Sequence, residues 1–112
     1  MASKRLLVVE DDPRSLYAFQ QVLQARGFEV VAFDSAEKAL QNGSHHVDSA
    51  LIDVRLPKMQ GPDLGLQLRK ARPSINLVFI TAYNGIEEIK KMIPDCKILP
   101  KPIDIDTLLK LL

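Results

Sequence analysis

The chain has 112 residues, enough for one domain around one core. Apolar residues make up 46% and charged residues 26%, the balance of an ordinary globular domain. A net charge of +1 lacks the basic excess that marks a nucleic-acid or anionic-membrane surface, so neither partner is expected.

No apolar run is long enough to span a membrane, and Met1-Ala2-Ser3-Lys4-Arg5 carries no secretory apolar stretch. One cysteine, Cys96, excludes an internal disulfide and suits a reducing compartment. The expected setting is the cytoplasm.

Leu6-Leu7-Val8-Val9 reads as a buried strand that ends in Glu10-Asp11-Asp12-Pro13. Asp12 before Pro13 is a helix N-cap with proline at the first helical position. Leu16, Phe19 and Leu23 line one face of that helix, and Gly27 stops it. Glu29–Phe33 is a second strand. Ser35 caps a short helix with Ala36, Ala39 and Leu40 inward, broken by Asn42-Gly43-Ser44. Ser49–Asp53 is the third strand. Pro62 opens a helix with Leu64, Leu68 and Ala71 on one face, closed by Arg72-Pro73. Residues 76–80 form the fourth strand, ending at Thr81. Ile86, Ile89 and Ile93 mark a short helix stopped by Pro94. Lys97-Ile98-Leu99 is the last strand, followed by Pro100-Lys101-Pro102. Asp104 caps a final helix with Ile105, Leu108, Leu109 and Leu112 inward.

Strand and helix alternate five times, which predicts an α/β domain with a parallel sheet and helices on both faces. The domain is expected to cover residues 1–112. The finish on Leu108-Leu109-Lys110-Leu111-Leu112 has no polar cap, which suggests a cut within or just after the last helix and a longer natural chain; any effector domain would lie beyond Leu112.

Open parallel sheets bind ligands beyond the carboxyl ends of their strands. Glu10, Asp11 and Asp12 follow the first strand, Asp53 ends the third, Thr81 ends the fourth and Lys101 follows the fifth. Carboxylates gathered at one edge repel each other, and oxygen ligands favour a hard cation such as Mg²⁺. An ammonium and a hydroxyl beside them complete a site for a phosphoryl group. Taken singly, each residue has a plainer reading. Asp12 suits a helix dipole, Asp53 can cap a loop, Thr81 can end a strand and Lys101 can be a surface lysine. No Gly-rich loop follows the first strand, so a dinucleotide site is not expected. His45 and His46 read as a solvated loop pair, and Cys96 as a semi-buried packing residue.

Four stretches in order carry a resemblance: Val8-Val9-Glu10-Asp11-Asp12-Pro13, Leu51-Ile52-Asp53-Val54-Arg55-Leu56-Pro57-Lys58-Met59-Gln60-Gly61, Phe79-Ile80-Thr81-Ala82 and Leu99-Pro100-Lys101-Pro102. The chain resembles the receiver domain of two-component response regulators over essentially its whole length. The resemblance implies a flavodoxin-like doubly wound sheet of order 2-1-3-4-5. It implies a signalling switch rather than a metabolic enzyme. Asp53 would accept a phosphoryl group from a histidine kinase or a histidine phosphotransfer protein. Mg²⁺ would be held by Asp11, Asp53 and the main-chain carbonyl of Arg55, with Glu10 acting through water. Lys101 would pair with Asp53 and then with the phosphoryl oxygens, Thr81 would move to bond them, and the Lys101–Pro102 bond would be cis. A downstream effector domain or protein would receive the signal.

The chain departs from the family pattern in places. Ile98 stands where an aromatic residue is usual, the segment from Thr81 to Lys101 is short, and Pro94-Asp95-Cys96 replaces a usual Gly-Ala. A switch without an aromatic rotamer change is therefore expected, because β-branched Ile98 is stiff. Arg55 and Tyr83, two residues beyond Asp53 and Thr81, are poor bases that can cover the phosphoryl group, so a long-lived phosphorylated form is expected. The competing reading is a degenerate receiver that docks a partner without turning over phosphate. A haloacid-dehalogenase-like phosphatase would need Asp where Arg55 stands.

Overall fold

The computed structural model describes residues 4–42, 46–82 and 85–112. Strands β1 (Arg5–Val9), β2 (Glu29–Phe33), β3 (Ser49–Asp53), β4 (Asn76–Thr81) and β5 (Lys97–Pro100) alternate with helices. The helices are α1 (Pro13–Ala25), α2 (Ala36–Asn42), α3 (Gly61–Ala71), α4 (Ile86–Met92) and α5 (Ile105–Leu111). All strand pairs are parallel, in the order β2-β1-β3-β4-β5. This is the flavodoxin-like order that the resemblance implies.

The pleat sorts each strand's side chains to alternate faces. Leu7, Val9, Ala50, Ile52, Leu77 and Phe79 pack against Ala39 of α2, Leu64 and Leu68 of α3, and Ile89 of α4. Leu6, Val8, Leu51, Val78 and Ile80 pack on the other side against Leu23 of α1 and Leu108 of α5. Both faces of the central strands are thus covered. That is why β3 and β4 read as unbroken apolar runs instead of alternating ones. The edge strands β2 and β5 are largely half-buried.

Helix starts follow local chemistry. The Asp12 carboxylate accepts the Arg14 N–H at 3.1 Å, and Pro13 fills the first helical position. Past the end of α1, Gly27 takes φ +92°, a left-handed conformation open to glycine. The Ser35 hydroxyl accepts the Lys38 N–H at 3.2 Å at the start of α2. Arg72, ahead of Pro73, is extended and ends α3.

Three expectations need correction. Ala71 is exposed, because the buried stripe of α3 is Gly61, Leu64, Gly65 and Leu68. At roughly 100° per residue, Ala71 falls on the rim of that stripe. Asp104 stands at the N-cap of α5 but makes no side-chain bond to a backbone N–H there; its carboxylate accepts the Thr107 hydroxyl at 2.6 Å. Cys96 is fully buried in the first core, and burial raises its thiol pKa. The last turn of α5 is tied to the sheet. Asn76 Nδ2 and Lys97 Nζ donate to the Leu111 carbonyl at 2.8 and 3.1 Å. Among the described residues no helix is long and apolar enough to cross a membrane.

Candidate functional site

Strand register assembles the site. Val9 lies beside Ile52, so Glu10 falls next to Asp53. Asp53 lies beside Ile80, so Thr81 is one step further out. Thr81 lies beside Pro100, so Lys101 is one further still. The polar residues therefore run diagonally along the carboxyl edge of the sheet.

Glu10 and Asp53 are buried, at 1% and 4% exposure, and Thr81 is buried at 3%. Asp11 is exposed. One carboxylate oxygen from each of Glu10, Asp11 and Asp53 lies within 4.8 Å of the others. Lys101 Nζ donates to Asp53 Oδ2 at 3.0 Å and stands 3.8 Å from Glu10 Oε2. Asp53 Oδ1 accepts the Arg55 N–H at 3.2 Å. Glu10 Oε1 accepts the Asp12 N–H at 3.2 Å, and the Glu10 N–H donates to the Phe33 carbonyl. The Lys101 N–H donates to the Thr81 carbonyl at 2.9 Å, and the Lys101–Pro102 bond is cis.

The charges respond to this crowding. Burial pushes the Glu10 carboxyl up to about 7, helped by the Asp53 carboxylate close beside it. Burial acts against the Lys101 ammonium, but Asp53, Glu10 and Asp11 outweigh it and hold its pKa above the ordinary value. Glu10 Oε2 is buried without a hydrogen-bond partner. A cluster of carboxylates with an orphaned buried oxygen suits a hard divalent cation, and these residues fit one.

The connection from β3 to α3 closes back on the site. Gly61 N–H donates to the Val54 carbonyl at 2.9 Å. A Cβ at Gly61 would lie 2.2 Å from the Asp53 carbonyl oxygen, so only glycine fits. Gln60 Nε2 donates to the Leu56 carbonyl at 2.6 Å. Lys58 sits in the left-handed region at φ 60°, and the next N–H, of Met59, donates to Glu37 Oε2 of α2 at 3.0 Å. A groove of about 540 Å³ lies beside this loop, lined by Asp11, Arg55, Leu56, Pro57 and Gln60. A more apolar groove of about 510 Å³ runs between α1 and the start of α5, lined by Glu10, Lys101, Phe19, Val22, Ile103 and Ile105 among others.

The structure thus brings together Glu10, Asp11, Asp53, Thr81 and Lys101. Asp12 caps α1, as its plainer reading has it. Arg55 is exposed at the loop, and Ile98 is half-buried against the first core. Tyr83 and His45 lie outside the described residues, and His46 is exposed. Two features escaped the sequence reading. Glu37 looks there like an acid in a first helical turn, and its contact with Met59 spans 22 positions. The direct contact of Glu10 with Asp53 depends on strand register, which a single sequence does not display.

Comparison with known proteins agrees with this geometry. The chain is 34% identical over 105 residues to a cyclic di-GMP phosphodiesterase of Thermotoga maritima, covering 92% of this chain and 28% of that protein. It is 32% identical over 111 residues to the sensor kinase CckA of Brucella abortus, covering 95% of this chain and 12% of that protein. The chain therefore spans a minor part of these relatives. A CheY-like receiver structure from Methanospirillum hungatei superposes with a TM-score of 0.87 at 28% identity, covering 97% of this chain and 90% of that one. The model of the response regulator receiver domain matches residues 6–112. With the sheet order, the carboxylate pocket and these matches in agreement, the chain belongs to the response regulator receiver family: a two-component signal-transduction domain, not a metabolic enzyme.

Proposed function

We propose that the domain accepts a phosphoryl group on Asp53 from a phosphohistidine, in a step that requires Mg²⁺. One observation carries the reading: three carboxylates within 4.8 Å of one another share an edge with an ammonium 3.0 Å from Asp53. An Asp53 carboxylate oxygen attacks phosphorus, the phosphorus–nitrogen bond of the donor breaks, and the imidazole leaves with the electron pair and takes a proton from solvent. Asp53 becomes an acyl phosphate. Asp11, Asp53 and the Arg55 main-chain carbonyl would hold the metal, with Glu10 reaching it through water. When bound, Mg²⁺ would offset the negative charge of the phosphoryl oxygens. Lys101 leaves its bond to Asp53 for a phosphoryl oxygen, and the Thr81 hydroxyl donates to another. The apolar groove that Glu10 and Lys101 help to line supports a histidine kinase or phosphotransfer protein as donor, since it offers a helix a dry face beside the acceptor.

Incubation with Mg²⁺ and a small acyl phosphate, followed by intact mass, tests the reading. The wild type should gain one phosphoryl group. Asp53→Asn, which keeps the shape but loses the anionic nucleophile, should gain none. Asp11→Ala should need far more Mg²⁺ for the same rate. Phosphorylation of Asp53→Asn at another carboxylate would move the acceptor elsewhere.

A further inference from the structure

The loop 54–60 starts at the buried carboxylate of Asp53 and returns to its backbone at Gly61, where no Cβ fits. At its apex, Lys58 is a non-glycine residue at φ 60°, a conformation that costs an L-residue energy and persists where its surroundings enforce it. Leu56 is buried and Met59 half-buried in the first core, which holds the loop by its side chains. Its backbone is held by Glu37, which reaches across from α2 to accept the Met59 N–H immediately after the strained residue. A carboxylate acceptor makes this bond stronger than a neutral one. Glu37 thereby holds the turn that follows Arg55 and Leu56.

We infer that Glu37 is a positioning residue: by gripping the Met59 N–H it sets the β3–α3 loop so that the main-chain carbonyl of Arg55 faces the carboxylates of Asp11 and Asp53. Glu37 touches neither metal nor phosphoryl group and acts through the loop. The inference rests on reading the pocket as a Mg²⁺-dependent phosphoryl acceptor. Outer partners of this kind govern metal affinity because a ligand displaced by a fraction of an ångström no longer meets the ion with its fellows.

A Mg²⁺ titration, read by the backbone amide shifts of Asp53 and Val54 with no phosphodonor present, tests the role. Glu37→Ala should raise the half-saturating Mg²⁺ concentration on the order of tenfold, the low end for loss of an outer partner. Glu37→Gln keeps an acceptor oxygen, neutral and therefore weaker, and should fall between wild type and Glu37→Ala; a loss as large as that of Glu37→Ala would mean that the charge and not the bond matters, and overturns the inference. Ser35→Ala weakens the same helix by removing the hydroxyl that accepts the Lys38 N–H, yet leaves Met59 alone, so its affinity should be unchanged. Unaltered affinity in Glu37→Ala, or an equal loss in Ser35→Ala, overturns the inference. Should Glu37→Ala not fold, Glu37→Asp takes its place: one methylene too short to reach Met59, it should show the same loss, and wild-type affinity there overturns the inference too. A wild type that binds no Mg²⁺ removes the reading underneath and the inference with it. A wild type that binds Mg²⁺, with Glu37 variants unchanged, removes the inference alone.

Discussion

Glu10 departs furthest from its residue type. Buried beside Asp53, it holds its proton up to a pH of about 7, whereas an unfolded chain releases it near 4.5. Between those values the native state binds the extra proton, so its stability falls as pH rises. The contribution is fully present below about 4.5 and is lost on passing about 7. Thermal melts in a chelator should therefore show a midpoint that declines across this window, and Glu10→Gln should flatten that part of the profile. A Glu10→Gln profile that still tracks the wild type would assign the slope to other groups. Sequence made the acidic patch at residues 10–12 plain, because three consecutive acids close an apolar run. It did not distinguish what each of the three does. Asp12 caps α1, Asp11 stands exposed, and Glu10 presses on Asp53. Those differences come from strand register and burial.

At the scale of elements, two glycines of α3 make opposite demands. Gly61 faces backbone, with a Cβ placed 2.2 Å from the Asp53 carbonyl oxygen. Gly65 faces side chains, with a Cβ placed 2.7 Å from Phe79 Cζ and 3.2 Å from Ile93 Cδ1, both buried in the core. Gly65→Ala should cost about 1–3 kcal/mol in urea melts, the usual penalty of overpacking, and leave the rate of phosphorylation near wild type. Gly61→Ala should lose stability and phosphorylation together, because the loop and the Asp53 backbone cannot both keep their places. Equal rates in the two variants would break the link between loop seating and reactivity. The sequence indicated a helix here through Pro62, Leu64 and Leu68, but not the close contact at Gly65, since a glycine inside a helix announces only a weak spot. Ile98 supplies the other element-scale expectation. It packs half-buried beside the first core, with no ring to rotate. Conformational change on phosphorylation should therefore register at Thr81 and along Ile86–Met92. With a phosphoryl mimic bound, amide shifts there should exceed those at Ile98, and the reverse order would return the switch to β5.

For the molecule as a whole, the sheet separates two cores. Leu23 and Leu108 belong to one, Leu64 and Leu68 to the other. Residues that share no partners lose stability independently. Leu23→Ala and Leu68→Ala should each cost about 2–5 kcal/mol, and the double mutant should match their sum to within about 0.5 kcal/mol. A shortfall well beyond that would mean that the two cores communicate through the sheet. The global fold was the most legible level, because five apolar runs alternating with capped helices admit few arrangements. Strand order came from the resemblance, not from periodicity, since nothing in an apolar run states its neighbour.

The diagonal of strand ends has a consequence for how such a chain can change over generations. Each side of the sheet has its own interior and its own helices, so surfaces on the α1 and α5 side can drift without repacking the α2, α3 and α4 side. The two sides meet at the carboxyl edge. There, strand alternation sends Glu10 and Asp53 toward α1 and α5, and Thr81 toward α3 and α4. The Lys101 N–H on the Thr81 carbonyl and the Lys101 ammonium on Asp53 tie the halves together. Each interior can thus be rebuilt separately, with a seam a few residues wide as the fixed boundary between them.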